Sequence, residues 1–306
     1  MNVSVVGAAA ILDYIFPVEK LPAPGEVALI LREEGMDKPF WGGCAPNIAA
    51  GLTRLGLQVA LVYPVGDDFS GSDCERYWHS LNIDLSNLCT QHGLPSGRAY
   101  LFFQPYGETM CFSALGAAAS AKPREDVRLA EMVVITPVCG EFTLFYLNQA
   151  LKQNCQIAIS GVVSPQIANG LDDIQIMLLN SREAKALCEL AEVAEITQLS
   201  SRYPHCCFFI TDGDKGSEVY LDQTRIPIPV IQPEKYADPT GAGDAYTAGV
   251  IMAWLKGYDP ETAGFIGATC ASFVIEAFGA QTNLPNFDMV KERLILQAPE
   301  IGRKLQ

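Results

Sequence analysis

The feature that most constrains how this chain can fold is a repeated alternation of short, nearly unbroken apolar runs with helix-like stretches. Val3–Val6 is a β-branched run ending at Gly7, and Val59–Val62 is another, followed by the loop Gly66-Asp67-Asp68. Similar runs recur at Met132–Ile135, Gln156–Ile159, Ile176–Leu179 and Cys207–Thr211. Such runs are those of strands covered on both faces. Between them, Pro46–Leu55 places Ile48, Ala49, Leu52 and Leu55 at helical spacing and stops at Gly56, and Ser181–Leu190 reads as a further helix. Strands alternating with helices imply an α/β fold, a mostly parallel sheet covered on both faces.

Two segments break this rhythm. Glu26–Arg32 reads as a strand, and Arg98–Gln104 with Glu108–Ser113 as a hairpin around Pro105-Tyr106-Gly107. They predict a small sheet beside the main layer, built from about residues 14–32 and 98–113. An isolated small sheet must bury its apolar face against something. It could cover a ligand site as a lid, pair with a second subunit, or do both; the alternative is an extension of the main sheet.

Composition narrows the function. With 49% hydrophobic and 18% charged residues, the 306-residue chain can build a large core. A formal net charge of −14 lacks the basic footprint of a nucleic-acid binder. An anionic ligand would need a local device, such as a helix N-terminus or a metal ion. The ten cysteines form no C-x-x-C pair and are spread through apolar stretches, as for reduced thiols in a cytoplasmic protein. The N-terminus has no basic region and carries Asp13, so it reads as a strand running into a loop rather than a signal peptide. No stretch of 18 uncharged apolar residues predicts a membrane span.

The chemistry is concentrated in Asp238-Pro239-Thr240-Gly241-Ala242-Gly243-Asp244-Ala245, followed by an apolar helical run to about Leu255. Gly241 and Gly243 clear side chains from the helix entry, so backbone N–H groups can approach an anion where the helix dipole also attracts it. Asp244 then falls in the first turn. A carboxylate beside an anion hole costs electrostatic energy and suggests proton handling; the blander reading is that it only caps the helix.

This run looks like the C-terminal signature of the ribokinase, or PfkB, family of carbohydrate kinases. Other matches follow in order: Gly7 and Asp13 resemble the family's first substrate loop, and Trp41-Gly42-Gly43-Cys44-Ala45-Pro46-Asn47 its glycine pair followed by Asn. Gly66-Asp67-Asp68-Phe69 resembles another recurring element, Asn180-Ser181-Arg182-Glu183 the N-x-x-E motif, and Thr211-Asp212-Gly213-Asp214-Lys215-Gly216 the T-x-G-x-x-G nucleotide loop. The resemblance implies a single ribokinase-like three-layer α/β/α domain over 1–306 with an inserted lid.

It also implies roles. Asp244 would act as general base, with the N–H groups of Gly241, Ala242 and Gly243 as anion hole. Asp13, Gly42, Gly43 and Asn47 would bind substrate hydroxyls. Thr211, Gly213 and Gly216 would lie along ATP, with Asn180 and Glu183 around Mg²⁺, Glu183 acting through metal-bound water. Asp238 and Thr240 would help hold K⁺ or, alternatively, brace the turn. The expected reaction moves the γ-phosphoryl group of ATP to a hydroxyl, expected to be primary, of a small sugar. Cys44 stands where ribokinases proper usually carry Lys, which argues against ribose, and the stretch GGCAPN looks more like fructokinase-type or general sugar-kinase members. Nucleoside kinases share the scaffold, so a nucleoside kinase of the pseudouridine or adenosine type is the alternative. A catalytically silent sugar-binding protein is a further one. A homodimer through the lid is expected.

His79, His92 and His205 fit no metal-ligand spacing. There is no G-x-x-x-x-G-K-[ST] loop, and Tyr246 breaks a G-x-G-x-x-G reading.

Overall fold

The computed structural model describes residues 2–31, 38–104, 109–137 and 140–305. In chain order the strands are β1 (Val3–Val6), β2 (Leu12–Pro17), β3 (Phe40–Trp41), β4 (Val59–Val62), β5 (Pro64–Gly66), β6 (Cys89–Gln91), β7 (Arg98–Phe103), β8 (Thr109–Ala114), β9 (Met132–Ile135), β10 (Gln156–Ser160), β11 (Ile176–Asn180), β12 (Cys207–Thr211), β13 (Ser217–Leu221) and β14 (Thr224–Ile228). The helices are α1 (Cys44–Arg54), α2 (Asp73–Ser80), α3 (Glu141–Lys152), α4 (Pro165–Asn169), α5 (Ser181–Leu190), α6 (Ile196–Arg202), α7 (Ala242–Leu255), α8 (Pro260–Val274), α9 (Phe287–Gln297) and α10 (Pro299–Lys304).

The main sheet has the order β14-β13-β12-β11-β10-β9-β1-β4. It is parallel from β4 to β12 and turns antiparallel at β13 and β14. Its strands split their side chains between two cores, as a period of two requires. Val3, Val5, Val134, Ile176 and Phe209 face α1, α7 and α8, while Val6, Val133, Ile159, Met177 and Phe208 face α3, α5 and α6. That is the three-layer arrangement expected from unalternating apolar strands. Among the described residues no helix is long and apolar enough to cross a membrane.

A second sheet, ordered β3-β2-β7-β8, stands apart from the first, so the lid segments do not extend the main sheet. Its make-up differs from the sequence expectation in two ways. Leu12–Pro17, read there as loop, is a strand whose side chains alternate; Asp13, Ile15 and Pro17 are buried. Glu26–Arg32 is not a strand. Residues 26–31 pair only through the single bridge Ile30–Val18, and Arg32 lies outside the described residues. The physical reason is the lack of a covering layer: Val27, Leu29 and Leu31 are 84%, 66% and 55% exposed, so no buried face rewards a full ladder. Strand β7 ends at Phe103, one residue short of Gln104, and the expected turn at Pro105-Tyr106-Gly107 lies outside the described residues.

Candidate active site

Helix α7 is apolar all round and buried along most of its length, so only its first turn can reach a cavity. It starts at Ala242 and carries Asp244 as its third residue, in the first turn as expected. Its N-cap is Gly241, at φ 82°, where a Cβ would fall 2.3 Å from that of Ala280. Glycine is therefore demanded twice, by conformation and by space. The three expected anion-hole donors are not equivalent. The Ala242 N–H turns back onto the Pro239 carbonyl at 3.2 Å, closing the turn. Gly241 and Gly243 keep N–H groups with no partner among the described residues, and a Cβ on Gly243 would meet nothing within 4 Å.

Helix α1 delivers two groups to Asp244. The Asn47 Nδ2 donates to Asp244 Oδ2 at 2.8 Å, and the Cys44 thiol lies beside that carboxylate in the same cavity. Burial nevertheless dominates and pushes Asp244 up to about 7. Asp13, on β2, borders the same space. Burial also raises it to about 7, with the charges of Asp244 and Asp238 adding, against an opposing hydrogen bond from the Gly43 N–H. Gly42 makes room for it, since a Cβ there would overlap the Asp13 carboxylate.

These groups share a cavity of about 370 Å³. Asp13, Asn47, Asp244 and Gly241 line it together with Ala99, Leu101, Thr109, Cys111 and Ser113 of the small sheet, and Asp13 lies directly across from Ala99 in the β2–β7 pairing. A larger, more open concavity of about 810 Å³ lies beside α2 and contains none of the glycine run. Its Asp67 binds the Gly93 N–H and His92, and neighbouring Asp68 holds the Ser96 N–H, so the Gly66-Asp67-Asp68 element braces a loop.

The Asp238 carboxylate is fully buried and accepts from the backbone N–H groups of Thr240 and Gly279, at 2.9 and 2.8 Å. The bracing role is thus visible. Thr240 Oγ1, however, is buried with no hydrogen-bond partner among the described residues. An orphaned hydroxyl beside a buried carboxylate fits an oxygen-liganded cation.

The expected nucleotide residues do not line this cavity; they gather at the carboxyl ends of β11 and β12, where open α/β sheets bind ligands. Asn180 and Glu183 form a reciprocal capping box, each side chain accepting the other's backbone N–H at 2.9 Å. Burial raises the Glu183 pKa despite those bonds, and a half-buried carboxylate of this kind fits a hydrated divalent cation. Ser181 donates to Asp212 at 3.0 Å, tying this helix start to the Thr211–Gly216 turn, in which Gly213 and Gly216 have φ 58° and 93°.

Sequence reading missed Gln281, in the loop after α8, which donates to Asn47 Oδ1 at 2.8 Å. Nothing in its neighbourhood of the chain marks it; only the fold brings it to α1. The cavity-lining Ala99, Leu101 and Cys111 of the small sheet were equally silent, because they read as ordinary strand.

The profile of the pfkB family carbohydrate kinases matches residues 1–286. The chain belongs to that family. It is accordingly a phosphotransferase acting on an alcohol group. A nucleoside kinase of Methanocaldococcus jannaschii is 36% identical over 299 residues, covering 96% of both chains. A ribokinase of Bacillus subtilis is 27% identical over 96% of this chain and 99% of its own. The crystal structure of the M. jannaschii nucleoside kinase superposes with a TM-score of 0.81 at 34% identity, over 96% of this chain and 98% of that one.

Proposed function

We propose that this PfkB-family kinase transfers the γ-phosphoryl group of ATP to a hydroxyl, the primary one, of a ribonucleoside. The carrying observation is the cavity's mixed lining: two carboxylates and an amide, from Asp13, Asp244 and Asn47, share it with Ala99, Leu101 and Cys111 of the small sheet, beside the hydroxyls of Thr109 and Ser113. A free sugar presents hydroxyls on all sides and would leave Leu101 and Ala99 facing polar groups. A nucleoside matches both kinds of lining, its ribose meeting Asp13 and Asn47 and its base lying against Leu101 and Cys111. The greater similarity to a nucleoside kinase than to a ribokinase supports the same choice over the small sugar read from sequence.

In this reading Asp244 takes the proton of the attacking hydroxyl, and the free N–H groups of Gly241 and Gly243 stabilise charge on the moving phosphoryl group. Asp13 accepts from ribose hydroxyls. Glu183 would hold Mg²⁺ through water, the ion would supply positive charge to the phosphates, and Thr211, Gly213 and Gly216 would flank the nucleotide. Asp238 and Thr240 seat a monovalent cation such as K⁺ behind the anion hole. Closure of the small sheet excludes water that Asp244 would otherwise activate against ATP. Its outer face, with Phe112 57% exposed, seats a second copy of the chain. The nine described cysteines are all free, which suits a cytoplasmic protein.

The deciding experiment measures ADP release with Mg-ATP across purine and pyrimidine nucleosides and free sugars. Higher kcat/KM for a nucleoside than for ribose or fructose is expected; the reverse order would return the reading to a sugar kinase. Replacing K⁺ by a bulky organic cation is expected to lower turnover, and unchanged turnover would remove the cation from the scheme.

A further inference from the structure

We propose that Trp78 and Gln281 form a positioning chain that fixes which face of the Asn47 amide meets Asp244, a proposal that rests on the reading of Asp244 as the base. The Trp78 Nε1–H donates to Gln281 Oε1 at 3.2 Å, Gln281 Nε2 donates to Asn47 Oδ1 at 2.8 Å, and Asn47 Nδ2 donates to Asp244 Oδ2 at 2.8 Å. An indole N–H can only donate. Gln281 must therefore turn its oxygen to Trp78, which leaves its NH₂ for Asn47. Asn47 must then turn its oxygen to Gln281, which leaves its NH₂ for the carboxylate. The direction of the whole chain follows from Trp78.

The chain is dry: Trp78, Gln281 and Asn47 are 0%, 6% and 4% exposed, so water cannot replace a lost partner. Without the indole donor either amide can rotate by half a turn. Asn47 then presents a carbonyl oxygen to a carboxylate, two acceptors face each other, and the ionised form of Asp244 loses its strongest donor. The loop carrying Gln281 is held on both sides. The Tyr77 hydroxyl donates to the Gln281 carbonyl at 3.1 Å, Gly279 donates to Asp238 at 2.8 Å, and Ala280 packs against Gly241. Helix α2 and this loop thus align the base with the anion hole from behind. Among the described residues, the other titratable groups acting on Asp244 are Cys44 on α1, Asp13 on β2 and the buried Tyr63 between β4 and β5, with Asp238 acting on Asp13 from the segment before α7. Trp78, Gln281 and Asn47 do not titrate, so they influence proton transfer only through Asp244.

The test compares Trp78→Phe and Gln281→Met, which keep size and remove polarity, with the parent. The Asp244 carboxyl is titrated by its infrared carbonyl stretch, assigned by subtracting Asp244→Asn, and kcat is followed against pH with inosine and Mg-ATP as probes. Both variants are expected to raise the Asp244 midpoint by about one pH unit, tenfold in the protonation equilibrium. They are also expected to lower kcat at neutral pH on the order of tenfold with little change in the KM for ATP. A purely structural role would lower the melting temperature and leave the midpoint where it is; an unshifted midpoint in both variants overturns the chain. The titration needs no substrate and a folded Gln281→Met suffices for it. If Asp244→Asn instead turns over at the parental rate, the reading of Asp244 as base falls on its own account.

Discussion

At the scale of single residues, the site is a compromise between function and stability. Asp13 is buried and Asp244 part-buried, and desolvation raises the pKa of each to about 7 from about 3.8. Folding therefore favours the protonated form. Below pH 4 the group is neutral folded or unfolded and costs nothing; as pH rises toward 7 the folded state must hold a charge that the unfolded chain holds more easily. Asp244→Asn is expected to raise the melting temperature more at pH 8 than at pH 4, by up to about 4 kcal/mol of added stability at the higher pH. A gap that narrows with rising pH would show that the carboxylate is compensated by neighbours. The same variant is expected to lose on the order of 10²-fold or more in kcat, with ATP affinity little changed, and kcat/KM of the parent is expected to fall as pH drops below about 7. Near-normal turnover by the variant would remove Asp244 as the base.

At the scale of elements, the two glycines of the α7 entry do different work, and substitution separates them. Gly241 has φ 82° and abuts Ala280, so Gly241→Ala is expected to destabilise the fold by about 2 kcal/mol, read as a lower melting temperature. Gly243 opens onto empty space, so Gly243→Ala is expected to leave melting unchanged and to lower kcat by crowding the phosphoryl group. Equal melting temperatures for both variants would contradict this division. The N-x-x-E motif shows the converse: Asn180 and Glu183 cap their own helix reciprocally, so a motif residue can serve stability and site at once. The expected strand at Glu26–Arg32 failed because local β propensity cannot substitute for a covering layer.

At the scale of the molecule, the small sheet has two faces with different partners. Ala99, Leu101 and Cys111 look into the cavity, while Tyr14 stacks on Tyr100 at 5.2 Å and Phe16 on Phe102 at 5.1 Å across the other side. Two tests follow. Phe112→Glu is expected to shift the sedimentation of the protein from dimer toward monomer; a parent that already sediments as a monomer would refute the pairing. A non-phosphorylatable nucleoside analogue is expected to protect residues 98–114 from protease, and unchanged nicking with the analogue bound would count against closure.

What the sequence determined by itself was whatever local chemistry dictates. Unalternating runs such as Met132–Ile135 meant strands buried on both faces, and the run from Asp238 to Asp244 meant a helix entered through glycine with an acid in its first turn. Tertiary structure alone decided which distant groups meet that acid. Asn47 lies 197 positions from Asp244, and Gln281 lies 234 from Asn47 and 203 from Trp78. A hydrogen bond forms where donor and acceptor come within about 3 Å, and for partners so far apart in the chain that proximity is set by the packing of α1, α2 and α7 rather than by any spacing along it.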